Sequence, residues 1–192
     1  MMTSNTPYQV YSGQIEPELL DAIEAICNRQ RLMKGTVGAG QGDLNESYRN
    51  SDIAFLPEGH WTMGLLYHFA AVANAQAWRY DIAAPSPVQL TRYGAGQFYN
   101  WHRDSGGEPP QARMVRKISV ILQLSDPSTY EGGTVEFKLG EETDEPRIVP
   151  ALEAKSRGSV IVFPSWLPHR VTEVTNGERR SLVNWVVGPP FR

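Results

Sequence analysis

Between Pro87 and Val187 the chain breaks into short β-rich runs separated by turn residues, and no other feature restricts its fold as strongly. The runs are Val88–Tyr93, Gln97–His102, Lys117–Leu124, Thr134–Leu139, Arg147–Val149, Ser159–Phe163, His169–Thr175 and Ser181–Val187. Short strands with this punctuation favour an antiparallel sandwich or barrel. Glu131-Gly132-Gly133 and Asn176-Gly177 read as turns between strands, because Gly and Asn accept positive φ. The first eighty residues read mainly as helix. Pro17 suits a first helical turn, and Leu19, Leu20, Ile23 and Ile26 follow at helical spacing. A second helix is expected from about Glu58 to Arg79, with Trp61, Leu65, Phe69, Val72 and Gln76 on one stripe. The expected architecture is mainly β with N-terminal helices: a double-stranded β-helix, or jelly roll, buttressed by α-helices. With no repeat and no linker, residues 1–192 read as a single domain, 1–86 a helical support region and 87–192 the jelly-roll core.

Composition narrows the function classes. The 18 basic and 21 acidic residues leave a formal charge of −3, which argues against a nucleic-acid partner that would demand a basic face. The one cysteine, Cys27, excludes an intramolecular disulfide framework and a cysteine-based zinc site. It lies in the first expected helix and reads as a buried thiol. The N-terminal residues show no basic and apolar regions of a signal peptide, and no run of 18 apolar residues suggests a membrane span, so a cytoplasmic location is expected. The polar, glycine-rich stretch from Gly35 to Asn50 lacks a preceding strand and a following Gly-Lys-Ser/Thr. It is expected to be a mobile surface loop, and a candidate lid, rather than a phosphate cradle.

Residues two apart in a strand point the same way, so His102 and Asp104 can aim at one metal ion. His-x-Asp alone is a weak motif. Of the remaining histidines, His60 and His68 fall in the second helix, whereas His169 opens a strand in the β-rich half. His102, Asp104 and His169 together make the 2-His-1-carboxylate set that holds non-heme Fe(II) with open coordination positions. Arg179 and Arg180 begin the strand after the one opened by His169, and hairpin pairing would return them to the metal. One of the two could then bind a carboxylate in bidentate fashion, since neighbouring strand residues face opposite ways.

With these residues placed, the chain resembles the Fe(II)/2-oxoglutarate-dependent dioxygenases, in particular the prolyl-4-hydroxylase-like, PKHD-type group. The matching blocks are Tyr93-x-x-Gly96-Gln97-x-Tyr99-x-x-His102-x-Asp104, Leu122-Gln-Leu-Ser125-Asp126-Pro127, Tyr130-Glu-Gly-Gly133, Gly158-x-Val160-x-x-Phe163-Pro164-Ser165 and His169-Arg-Val-Thr-x-Val174-Thr-x-Gly177-x-Arg179. They cover about residues 88–187 in the family's order. The resemblance implies Fe(II) on His102, Asp104 and His169, with Arg179 rather than Arg180 pairing with the distal carboxylate of 2-oxoglutarate. It places Tyr93, and a substrate-facing or core Tyr99, at the co-substrate pocket. It also implies O2 as oxidant, ascorbate as a candidate reductant, and decarboxylation of 2-oxoglutarate to succinate coupled to hydroxylation.

Gln123 is expected among the co-substrate-binding residues, since its amide can donate, but it departs from the pattern, because many prolyl hydroxylases carry a tyrosine there. The substrate is therefore left open: a prolyl or other side chain of a protein or peptide first, a free small molecule second. Nucleic-acid demethylases of the superfamily carry a second arginine six residues after the first, where this chain has Trp185. A non-catalytic jelly-roll binding module is the reading from another class. Oligomeric state is not legible.

Overall fold

The computed structural model describes residues 7–37, 43–107, 109, 111–140 and 145–191. The N-terminal half contains β1 (Gln9–Tyr11), α1 (Pro17–Cys27), β2 (Met33–Lys34), β3 (Arg49–Asn50), β4 (Asp52–Phe55), α2 (Thr62–Ala73) and β5 (Ala84–Pro85). There follow β6 (Gln89–Gly94), β7 (Phe98–His102), β8 (Val115–Gln123), β9 (Tyr130–Gly132) and β10 (Val135–Leu139). The chain ends with β11 (Arg147–Pro150), β12 (Val160–Pro164), β13 (His169–Val171) and β14 (Val174–Gly188). Among the described residues these form two antiparallel sheets. The larger runs β1-β12-β8-β14-β6-β4-β2, with β5 and β9 pairing the two ends of β14. The smaller runs β11-β10-β13-β7-β3. This is the expected jelly roll, mainly β with two helices packed on one side.

Period-two alternation explains how the larger sheet is covered on both faces. Leu90 of β6, Ile118, Val120 and Leu122 of β8, and Leu182 and Val186 of β14 share one face. There they join Leu20 and Ile23 of α1 and Leu66, Phe69, Ala70 and Ala73 of α2 in one core cluster. The intervening positions, Gln89, Thr91 and Tyr93 of β6, Ile121 of β8, and Arg179, Ser181 and Val183 of β14, line a cavity of about 460 Å³ on the opposite face. A second cluster, including Phe137, Phe163, Val171 and Tyr8, fills the space between the sheets and, through Val171, Tyr93 and Ile121, borders that cavity. Burying a leucine such as Leu66 or Leu122 completely contributes about 1.5–3 kcal/mol.

Several expectations are corrected here. The segment before Pro87 is not mainly helix: β1 extends one edge of the larger sheet beside β12, β4 pairs with β6, and β3 pairs with β7 in the smaller sheet. Strands of two to four residues are too short to display a period, and distant partners decide them. The second helix starts at Thr62, and after Ala73 one π-helical turn, Asn74–Trp78, ends at Arg79 with φ 54°. Asn74 closes that end, donating to the Tyr80 carbonyl and accepting from the Tyr80 N–H. Its buried stripe is Thr62, Leu66, Phe69, Ala70 and Ala73, whereas Trp61 and Gln76 are exposed. A helix apolar on nearly every side gives periodicity little to discriminate.

Asn176-Gly177 is not a hairpin turn but lies inside β14, where β14 shifts register against β9. Gly177 has φ +74°, and a Cβ there would stand 2.1 Å from the Thr129 carbonyl oxygen. Close approach of another backbone, not reversal of the chain, is what this glycine allows. The Gly35–Asn50 stretch is tied down where it is described: Val37 bridges Asp43, and Arg49 and Asn50 enter the smaller sheet. Gly38, Gly40 and Gly42 lie outside the described residues. Cys27 is a buried thiol, as expected, and burial pushes its pKa up to about 11. No helix of the described residues is long and apolar enough to cross a membrane.

Candidate active site

His102 ends β7 and His169 opens β13, and antiparallel pairing sets the two residues opposite each other. Asp104 follows two residues after His102, held where its backbone N–H donates to the Ser165 carbonyl at 2.8 Å. One ligand atom from each of His102, Asp104 and His169 lies within 4.8 Å of the others. The His102 Nε2 is 3.7 Å from one Asp104 oxygen and the His169 Nε2 is 3.5 Å from the other.

Each imidazole has its other nitrogen fixed by the backbone. The Nδ1 of His102 is 2.8 Å from the Asn100 carbonyl, and that of His169 is 2.9 Å from the Leu167 carbonyl. A carbonyl can only accept, so both Nδ1 atoms carry a proton and both Nε2 atoms face the carboxylate. Burial, reinforced by the neighbouring His169, pushes the His102 pKa far down and keeps the ring neutral. For Asp104, burial alone would raise the pKa. Against that, the electrostatic pull of His169 and then His102, together with the Ser119 hydroxyl, which donates to Oδ2 at 2.7 Å, brings the carboxyl below the usual carboxylate range. Neutral imidazoles and an ionised carboxylate are the states in which these side chains bind a metal. The donor set fits a divalent cation of the iron type, with carbonyl and hydroxyl partners orienting each ligand from behind.

Arg179 reaches the same cavity by a route other than the hairpin expected from sequence. β13 and β14 belong to different sheets, and β14 presents Arg179 across the sandwich. Its neighbour Arg180 points to the helical side and donates to Asn28 at 2.7 Å. Arg179 is 3% exposed, with one long 3.5 Å contact to the Ser181 hydroxyl and its guanidinium 5.8 Å from the Tyr93 ring. Gly133, at φ +57°, makes room for it, since a Cβ there would stand 2.9 Å from the arginine Cδ. Burial pushes the Arg179 pKa down while Tyr130 and Tyr93 draw it back up, and the group stays cationic. Among the described residues no carboxylate pairs with it. An uncompensated buried cation is costly, so the arrangement suits an anionic ligand.

The other expected residues divide. Tyr93 is buried and lines the cavity, and burial raises its phenol pKa. Tyr99 lies face to face with the His102 ring at 3.6 Å, which sets it over the metal site. Gln123 stands apart from the lining. Its amide donates to the Tyr130 hydroxyl and the Ser125 carbonyl, each at 3.1 Å, while its own carbonyl oxygen has no partner. Tyr130, not Gln123, is therefore the group beside Arg179. His60 and His68 remain on α2 and its approach, away from the cavity.

Sequence reasoning passed over Ser119, Arg49 and the placement of Trp185. Trp185 is 7% exposed, and its indole N–H favours the ionised Asp104 without reaching hydrogen-bonding geometry. A signal for Ser119 existed: Ser119 and Gln123 interrupt the apolar run Ile118–Leu124 at alternate positions, on the face that carries the cavity-lining Ile121.

Comparison with known proteins agrees with this geometry. The family model of the 2OG-Fe(II) oxygenase superfamily matches residues 88–187, just over half of the chain. A PKHD-type hydroxylase of Parvibaculum lavamentivorans is 40% identical over 99 residues, 52% of this chain and 41% of the relative. One of Sphingopyxis alaskensis is 32% identical over 119 residues, 61% of this chain and 51% of the relative. The matches thus span about half the length of these relatives. Among solved structures, a Pseudomonas putida prolyl-4-hydroxylase superposes with TM-score 0.71 at 21% identity, covering 95% of this chain and 93% of that one. A Trichoplax adhaerens prolyl hydroxylase, in complex with a hypoxia inducible factor oxygen degradation domain peptide fragment, gives 0.72 at 16%, covering 95% and 84%. At these identities the structural likeness speaks for the fold, and the matched family model decides the assignment: the chain belongs to the 2OG-Fe(II) oxygenase superfamily.

Proposed function

We propose that this chain is a 2-oxoglutarate-dependent dioxygenase that hydroxylates a prolyl or other side chain of a protein or peptide. One observation carries the reading: three converging donors and a buried arginine with no counter-ion among the described residues share a single cavity. His102, Asp104 and His169 hold Fe(II), and Arg179 pairs with the distal carboxylate of 2-oxoglutarate. When bound, the iron supplies O2 activation coupled to decarboxylation of the co-substrate to succinate. The protein's part is position. The Asn100 and Leu167 carbonyls lock the ring tautomers, Ser119 steadies Asp104, and the stacked Tyr99 keeps water from one side of His102.

A side chain on a peptide suits the cavity mouth, where Phe55 and Met114 stay exposed as apolar rim. The prolyl-4-hydroxylase neighbour and the peptide complex of the Trichoplax protein support the same substrate class. Residues 1–192 act as one domain in this reading, because β1, β3 and β4 complete sheets otherwise built after Pro87.

Replacing His102, Asp104 or His169 with Ala should abolish succinate formation from 2-oxoglutarate while the circular dichroism spectrum stays native. Undiminished succinate in any of the three would remove that residue from the site. A wild-type chain that makes no succinate with Fe(II), ascorbate and candidate peptides would instead be a binding module.

A further inference from the structure

We infer that Arg49 is a second anion-binding residue of the cavity and that it holds a carboxylate of the substrate. This rests on the reading above, in which Arg179 is committed to the co-substrate.

Arg49 comes from the short β3, outside the matched family region, and is 8% exposed. Its Nε donates to the Ser51 hydroxyl at 3.0 Å and one terminal nitrogen donates to the Thr36 carbonyl at 2.8 Å. The guanidinium lies over the Tyr99 ring at 4.6 Å, and the same ring stacks on His102 at 3.6 Å. Gly35 presses against it: a Cβ there would stand 2.7 Å from Nε and 2.6 Å from the Ser51 hydroxyl. The side chain is thus clamped by backbone, hydroxyl and aromatic face, and it lines the cavity.

Two of its five N–H donors are occupied, and among the described residues no carboxylate pairs with it. Asp104 is the one carboxylate among the described residues that line the cavity, and it faces the two histidines. The cavity therefore offers two buried guanidinium groups, and the co-substrate's distal carboxylate accounts for one. A planar guanidinium edge matches a carboxylate in bidentate fashion. The Tyr99 ring between Arg49 and His102 acts as a spacer, so the acid group sits within a few bonds of the carbon presented to the metal. A free carboxylic acid or an acidic residue flanking the modified position of a peptide would each satisfy that chemistry.

The test uses the chain loaded with Ni(II), which occupies the metal site without turnover, and 2-oxoglutarate. Calorimetry then compares N-acetyl-L-proline with N-acetyl-L-prolinamide, and a ten-residue peptide carrying Glu beside an internal proline with its Gln counterpart. The acid of at least one pair should bind about tenfold more tightly, equivalent to about 1.4 kcal/mol. The pair that shows the preference identifies the source of the carboxylate. Arg49→Gln should bring the ratio below about twofold, and Arg49→Lys, which keeps the charge, should retain part of it. The inference is overturned by a ratio near one in both pairs, by no binding of any probe, or by a preference that survives Arg49→Gln. It is also overturned if Arg49→Gln weakens 2-oxoglutarate itself, which would put the guanidinium on the co-substrate. Failure of the wild-type chain to bind Ni(II) and 2-oxoglutarate at all would sink the dioxygenase reading instead, and this inference with it.

Discussion

Ser119 shows how a small side chain governs a charged one. Its hydroxyl is shared between Asp104, at 2.7 Å, and Ser165, at 2.9 Å, so the carboxylate meets an oriented donor before any metal arrives. Ser119→Ala should weaken metal binding about 10–100-fold with the fold intact, measured by Ni(II) titration calorimetry. An unchanged affinity would show that the histidines alone set the geometry. The two adjacent arginines make the complementary case, because strand alternation sends Arg179 into the cavity and Arg180 to Asn28 on the helical side. Arg179→Ala should raise the 2-oxoglutarate concentration for half-maximal succinate formation at least about tenfold, the loss of a charge-assisted pair. Arg180→Ala should shift it by less than about twofold. Equal effects would place the wrong arginine inside.

At the scale of elements, β14 joins the site to the rest of the protein. Its middle pairs with β6 and β8, and its start pairs with β9, which brings Tyr130 against Gly177 and toward Arg179. Gly177→Ala demands both a left-handed alanine and displacement of the Thr129 carbonyl. It should cost about 2–4 kcal/mol in chemical denaturation and also weaken 2-oxoglutarate binding. A stable variant with normal affinity would mean that β9 moves aside freely. On the opposite face, Leu66→Ala should cost about 2–5 kcal/mol by opening a cavity between α2 and the larger sheet, with the site unaltered. Six of the eight expected strands match an observed strand to within two residues at each end. The errors gather around Asn176-Gly177 and before Pro87, where pairing with remote segments overrides local turn and helix signals.

For the whole molecule, the site is a liability to stability in acid. His102 is held neutral in the fold by a lowered pKa, whereas the unfolded chain protonates at the ordinary histidine value of about 6.5. Stability is thus unaffected above that value and falls as pH drops below it, because the unfolded state binds the extra proton. Asp104, also lowered, adds a further loss at still lower pH as its carboxyl becomes protonated. Thermal unfolding of the metal-free chain should therefore be flat from about pH 8 to 7 and decline below about 6.5. His102→Asn should flatten the first part of that decline, and an identical profile in this variant would assign the effect elsewhere.

The sequence by itself determined the β-rich half, the covering helices, and the histidines and carboxylate at one strand's end. Those depend on periodicity and on residues two apart, which are local properties of a chain. Tertiary structure decided which sheet carries Arg179, why Tyr130 rather than Gln123 stands beside it, and that Arg49 enters the cavity at all. Each of these is set by pairing between segments far apart in sequence. Such pairing is fixed by burial of the whole chain and leaves no mark at the residues it brings together.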